Sequence, residues 1–147
     1  MVSPYGVELM KSLVLCLTIF GLNATAAEAA KINPSEKAEL TLKAPDKLKV
    51  KQTAEISFSI KPEKGWKVSF EAPLSVKLSN AGKVVIGKRK LGIKDGKKDG
   101  KGIVLSTTVE GSSSGADTVK AKAVYFLCTD DVCKRFSASR EIALKVK

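Results

Sequence analysis

Two cysteines separated by four residues, in Cys128-Thr-Asp-Asp-Val-Cys133, form the one constellation in this chain with chemistry to offer. A thiol pair at that spacing can close a disulfide, exchange one with another protein, or join further ligands around a metal. Composition removes the last route. The 147 residues hold three cysteines and no histidine, so no imidazole completes a zinc or copper set. The same absence removes Ser-His-Asp and Cys-His nucleophilic catalysis. Asp130-Asp131 falls short of the six oxygens a calcium ion needs and reads as turn chemistry, as do Asp95 and Asp99 near their glycines. No metal or cofactor is expected.

The elements that hold this pair follow from the parity of side chains along a strand. Before the pair, Val119, Ala121, Ala123, Tyr125 and Leu127 share one face, while Lys120 and Lys122 mark the other as solvent. Cys128 has the parity of those lysines, together with Val124 and Phe126. After the pair, Phe136, Ile142, Leu144 and Val146 form the apolar face, and Cys133 falls with Arg135, Glu141, Lys145 and Lys147. Two long strands, about 117–128 and 133–147, therefore meet in a hairpin with both cysteines facing outward at its tip. Cβ atoms of opposed residues lie about 4.5–5.5 Å apart, so a bridge is feasible.

Upstream the pattern is the same: short alternating runs, then turn residues. Ala54, Ile56, Phe58 and Ile60 alternate with polar residues before the turn Pro62-Glu63-Lys64-Gly65. Alternation resumes over Trp66–Phe70, over Leu74, Val76 and Leu78, over 83–86, and over Ile103, Leu105, Thr107 and Val109. Residues 94–102, KDGKKDGKG, have nothing to bury and read as loop; Gly111–Gly115 reads as a connector. Trp66, after a turn glycine, reads as core rather than a ligand platform. The whole points to an all-β fold: a single immunoglobulin-like antiparallel sandwich of about 7–9 strands over residues 30–147.

The first 29 residues read as an export signal. Lys11 precedes the ten-residue apolar run Leu13–Leu22, and small residues follow it, with cleavage placed after Ala29 or, as the second choice, Ala26. A helix of that length spans about 15 Å, half a bilayer core, so no stable membrane insertion is expected. Cys16 leaves with the signal, and the remaining two cysteines reach a compartment that permits disulfides, periplasmic or extracellular. Losing Lys11, Glu8 and Glu28 moves the net charge from +11 to +12.

The spacing of the cysteines leaves two roles open. Closing a six-residue loop contributes only about 2 kcal/mol in the chain-entropy model, and the hairpin already holds these residues together. A bridge exposed at a tip is open to thiolate attack, with Val124 and Phe126, flanking Tyr125, as a docking surface for the attacking protein. Lys134 and Arg135 favour a thiolate at Cys133, whereas Asp130 and Asp131 oppose one at Cys128. Most disulfides of exported proteins are nonetheless structural staples.

Tyr125-Phe126-Leu127-Cys128, the acidic four-residue loop and Cys133 resemble the Tyr-x-x-Cys…Cys hairpin of the DsbD family, in its N-terminal periplasmic domain. Gly65-Trp66-Lys67-Val68 with Glu71-Ala72-Pro73-Leu74 is similar to the Gly-aromatic and Pro-Glu-x-Pro stretch of DsbD-like domains, and the likeness covers most of residues 38–147. The resemblance implies an immunoglobulin-like sandwich that shuttles electrons to thioredoxin-like or other envelope thiol–disulfide proteins. Carried over, Cys133 attacks the partner disulfide and Cys128 resolves the mixed species. This sequence has Lys134-Arg135-Phe136 where the family usually has prolines. No electron-carrying membrane domain follows, so a separate membrane thiol reductase is the expected electron source.

Apart from Arg89, Arg135 and Arg140, every basic residue is lysine. Specific phosphate and base recognition leans on arginine forks and stacking aromatics, so nucleic acid is not an expected partner. A solvated basic face serves solubility and weak association with anionic envelope material. Two readings of other classes stand beside redox exchange: a non-redox immunoglobulin-like binding module whose disulfide is structural, and a basic, adhesin-like envelope protein.

Overall fold

The computed structural model describes residues 27–33 and 36–147, and of the first segment the backbone alone. Residues 1–26 of the expected export signal lie outside the described residues; residues 27–29 fall within the first strand. The strands are β1 (Ala27–Asn33), β2 (Ala38–Ala44), β3 (Lys47–Leu48), β4 (Thr53–Pro62), β5 (Lys67–Val68), β6 (Ser75–Ser79), β7 (Val84–Ile86), β8 (Lys90–Leu91), β9 (Gly96–Asp99), β10 (Gly102–Gly111), β11 (Gly115–Cys128) and β12 (Cys133–Val146). One sheet runs β1-β2-β4-β10-β7, with β9 also on β10; the other runs β3-β12-β11-β6-β8, with β5 also on β11. All pairings between strands are antiparallel except β3 with β12. The expected all-β, immunoglobulin-like sandwich is the fold observed. No helix among the described residues is long and apolar enough to cross a membrane.

The period-two pattern dictates which face each strand buries. Leu40, Leu42, Ile56, Phe58, Ile60 and Leu105 of the first sheet meet Val76, Val119, Tyr125, Leu127, Ile142 and Leu144 of the second in one core. The inward set proposed for β11, Val119 to Leu127, is buried throughout, as are Ile142, Leu144 and Val146 of β12. Trp66 and Phe136 are half-buried against that core.

Two expectations change. The strand count is twelve among the described residues, because β3 and β8 are two-residue pairings too short to leave a pattern and β1 precedes the first alternating run; of the run Trp66–Phe70 only Lys67–Val68 is strand, β5. Residues 94–102 are not loop: Ile93–Asp95 is a 3-10 turn, and β9 pairs with β10 in the register Asp99–Gly102 to Gly96–Leu105. An edge strand can be all polar on its outer side, since backbone hydrogen bonds and not burial hold it. Gly102 permits this hairpin, since a Cβ there would sit 2.1 Å from the Ile60 carbonyl oxygen.

Asp117 is the buried carboxylate of the second sheet. It accepts hydrogen bonds from the backbone N–H groups of Ala81, Lys83, Val84 and Thr118, and from Asn80 Nδ2. A single side chain thus holds the turn that carries the chain from β6 to β7. Burial works to raise its pKa, but the Asn80 and backbone donors outweigh burial and leave it below the usual carboxylate range.

Candidate functional site

The β11–β12 hairpin places the cysteines. Fourteen directly opposed pairs run from Gly115–Val146 to Cys128–Cys133, so the cysteines are the last rung before the loop. Their Cα atoms are 4.0 Å apart and their sulfurs are bonded. Thr129 closes the loop: its N–H donates to the Val132 carbonyl at 2.8 Å, and its Oγ1 accepts from the N–H groups of Asp131 and Val132. Asp130 and Asp131 point to solvent as turn residues.

The two sulfurs do not share one environment. Cys133 is exposed, as expected, but Cys128 retains only 7 % of its surface. The expectation of two outward, open cysteines is corrected here. Parity gave Cys128 its face correctly, yet β11 is an interior strand at this point: Cys133 lies on one side and Lys67 of β5 directly opposite on the other. The Ser69 N–H donates to the Phe126 carbonyl, which draws residues 69–71 along the same edge. The run Trp66–Phe70 is legible in the sequence but its partner is not, and its pairing with β11 covers the inner cysteine.

Beside the bridge runs a groove of about 500 Å³ in which Cys128, Cys133 and Thr129 face Phe70, Lys67 and Lys98. Phe70 is exposed at 37 %, and Lys98 Nζ lies 5.5 Å from its ring centre, a cation–π contact. Lys98 has no signal in the sequence, since residues 94–102 read as loop, and Phe70 reads only as the end of the alternating run Trp66–Phe70, with no role at the cysteines. Lys134 and Arg135, singled out beside Cys133, are exposed.

Of the expected docking residues, Val124 and Phe126 are half-buried on the outer face beside the bridge. Tyr125 is fully buried, and its place in a partner-docking surface is corrected. Its ring stacks on Phe136, 5.7 Å between centres, and Phe136 meets Trp66 edge-on at 5.9 Å. Its hydroxyl donates to the Glu36 carbonyl at 2.9 Å. Burial, with the Glu36 charge adding to it, pushes this phenol well above its ordinary value. Tyr125 thus supports the hairpin from inside the core. Among the described residues, no group of three or more His, Cys, Asp or Glu is placed to hold a metal ion.

The fold and site together define an immunoglobulin-like β-sandwich with a disulfide at the tip of its longest hairpin. No family model matches the chain, and no curated protein matches it. Among solved structures it is similar to the GAE domain of GGA2p from Saccharomyces cerevisiae, at 16 % identity and a TM-score of 0.36, covering 77 % of this chain and 96 % of that one. It is also similar to murine CRIg, at 15 % identity and a TM-score of 0.33, covering 74 % and 98 %. At these scores neither likeness bears on function.

Proposed function

We propose that this chain is an exported thiol–disulfide exchange domain working through Cys128 and Cys133, in the manner of the DsbD-family domain it resembles. The observation that carries the reading is the unequal exposure of a bonded pair, an open Cys133 joined to a covered Cys128. In the reduced form, the Cys133 thiolate attacks one sulfur of a partner disulfide, and the partner's other sulfur leaves as a thiolate. The Cys128 thiolate then attacks Cys133 Sγ and expels the partner's second sulfur, restoring the bridge. Two electrons pass to the partner, whose thiolates take up two protons. A membrane thiol reductase or thioredoxin-like protein returns the pair to the dithiol by the reverse exchange.

Support comes from how little the bridge holds together. Fourteen opposed pairs and the Thr129 turn already fix the hairpin, and a six-residue loop contributes only about 2 kcal/mol. Lys134 and Arg135, next to Cys133, favour its thiolate. Val124 and Phe126 offer the approaching protein an apolar footing beside the exposed sulfur. The apolar run Leu13–Leu22 with its flanks supplies the route to an oxidising compartment.

Equilibration in a glutathione or dithiothreitol redox buffer, read by thiol alkylation, tests the proposal. The expected potential lies above the region of about −300 mV where inert structural bridges sit. The Cys128→Ser variant, lacking the resolving thiol, is expected to trap a thioredoxin-like disulfide protein as a stable mixed disulfide through Cys133. A potential well below that mark, with unfolding on reduction, makes the bridge a staple and the chain a binding module.

A further inference from the structure

The outer face of the β12-β11-β6-β8 sheet carries a row of lysines across its strands. Lys122 of β11 is directly opposite Lys77 of β6, and Lys77 is directly opposite Lys90 of β8; on the other side Lys122 faces Ser139 of β12. All three lysines are exposed; Lys77 and Lys122 lie between buried neighbours, Lys90 precedes the buried Leu91, and the register puts all three on the same face. Like charges directly opposite one another work against the sheet. Among the described residues, no carboxylate comes within ion-pairing distance of the three. Elsewhere the pattern differs: Lys120, two rungs away on the same face, reaches Glu141 at 4.0 Å, and Lys61 on the other sheet is opposed by Glu39. Lys77 and Lys122 also line a groove of about 500 Å³ with Ser79, Ser139, Lys120 and Glu141.

We propose that this row binds an acidic polysaccharide lying across the strands, independently of the cysteine pair. The spacing selects the ligand. Adjacent strands lie about 4.8 Å apart, so the row presents one cation per 4.8 Å over three strands. An extended chain of pyranose rings with one carboxylate or sulfate per ring returns a charge to the same side at every second ring, a step comparable to the two strand spacings, about 9.6 Å, between Lys122 and Lys90. An extended acidic peptide places same-side groups about 6.8 Å apart and falls out of step, and a single phosphate reaches at most two of the lysines. Ser79 and Ser139 along the groove, with Ser75 and Ser137 opposite Val124 two rungs beyond the lysine row, supply neutral hydroxyls for the sugar hydroxyls between the charges.

The probe is an oligogalacturonate of defined length, titrated calorimetrically into the mature protein at low salt and at about 0.15 M ionic strength. A maltooligosaccharide of equal length is the uncharged control and inorganic phosphate the small-anion control. The Lys77→Gln/Lys122→Gln variant is expected to weaken oligogalacturonate binding about tenfold or more and to flatten its salt dependence. Lys64→Gln/Lys97→Gln, which removes the same charge from other surfaces, is expected to stay within about twofold of the parent. Both variants change only exposed side chains, and the thermal midpoint checks that each remains folded. Equal losses in the two variants, no binding by the parent, equal affinity for the neutral oligosaccharide, or full competition by millimolar phosphate would each overturn the proposal.

Discussion

The guanidinium of Arg140 and the carboxylate of Glu36 meet at 2.6 Å, with 5 % and 12 % of their side chains exposed. Arg140 occupies an inward position of β12, between Ala138 and Ile142, and its Nη1 also donates to the Ser139 carbonyl at 2.8 Å. Glu36 lies in the turn before β2, and its carbonyl accepts the Tyr125 hydroxyl. The start of one sheet is thereby fastened to both long strands of the other. Removing one partner of a buried pair strands the other charge, so Arg140→Ala is expected to cost about 3–5 kcal/mol in urea unfolding. Glu36→Gln with Arg140→Met should cost clearly less than the two single changes added together. A strictly additive cycle would mean the two side chains are not coupled.

Asp117 makes stability depend on acid. Its folded pKa lies below the usual value near 3.8 because the Asn80 side chain and the backbone donors of the 81–84 turn and Thr118 outweigh burial. A carboxylate depressed in the folded state contributes stability that is complete above the unfolded pKa and is lost as pH falls through the folded one. Asp117→Asn is expected to cost about 2–4 kcal/mol at pH 7, from charge-assisted hydrogen bonds lost or weakened. That difference should shrink toward pH 3 as the parent protein is itself protonated. A gap independent of pH would mean that the side chain's shape matters and its charge does not.

Tyr125 acts at the alkaline end with the opposite sign. Burial and then the Glu36 charge raise its phenol pKa, so the folded state holds a proton that the unfolded state releases near pH 10. Its stabilising share is present below about pH 10 and falls as pH rises further. The chain has two tyrosines, Tyr5 and Tyr125, so in protein prepared from Ala30 onward phenolate absorbance reports Tyr125 alone. That absorbance should rise together with loss of the near-ultraviolet dichroism, not before it.

Alternation made the sandwich, the long hairpin and the inward set Val119 to Leu127 legible, because a half-buried strand writes its burial into every second residue. The cysteine pairing was legible for the same reason, since parity and a four-residue loop place Cys128 opposite Cys133. What stayed hidden depends on long-range contacts. Arg140 has inward parity among apolar neighbours, a mark of a buried charge, but its partner lies 104 positions away. The cover over Cys128 comes from the two-residue strand β5, and the Phe70–Lys98 wall from an edge strand held by backbone hydrogen bonds. The alternation over Trp66–Phe70 does not name the partner of β5, and β9 leaves no periodic trace.

The position of β1 separates the two cleavage sites. β1 pairs with β2 from Ala27–Ala44 to Asn33–Ala38. Cleavage after Ala26 leaves all seven rungs, whereas cleavage after Ala29 removes three of them. Intact-mass measurement of exported protein should give a start at Ala27 or Ala30. A start at Ala30 predicts faster amide exchange at the Leu42–Ala44 end of β2 than a start at Ala27, because that edge loses its neighbour. An unprocessed N-terminus in a cytoplasmic fraction would remove the export argument altogether.

The contrast between the cysteines predicts an order of reaction. In the bonded form Cys133 stands open at the tip with Lys134 and Arg135 beside it, while Cys128 sits between β5 and β12, and the hairpin's other rungs are expected to keep that order on reduction. Access favours Cys133, so limited iodoacetamide treatment should label it first. Peptide mass spectrometry resolves the two sites once trypsin cuts after Lys122 and Lys134 and a second protease cuts beside Asp130 or Asp131. Phe70→Ala opens one wall of the groove without touching either sulfur, and it should speed labelling of Cys128 more than that of Cys133. Preferential labelling of Cys128, or equal rates at both sites, would show that reduction releases the hairpin tip, and the exchange order with Cys133 as attacking thiol would fall with it.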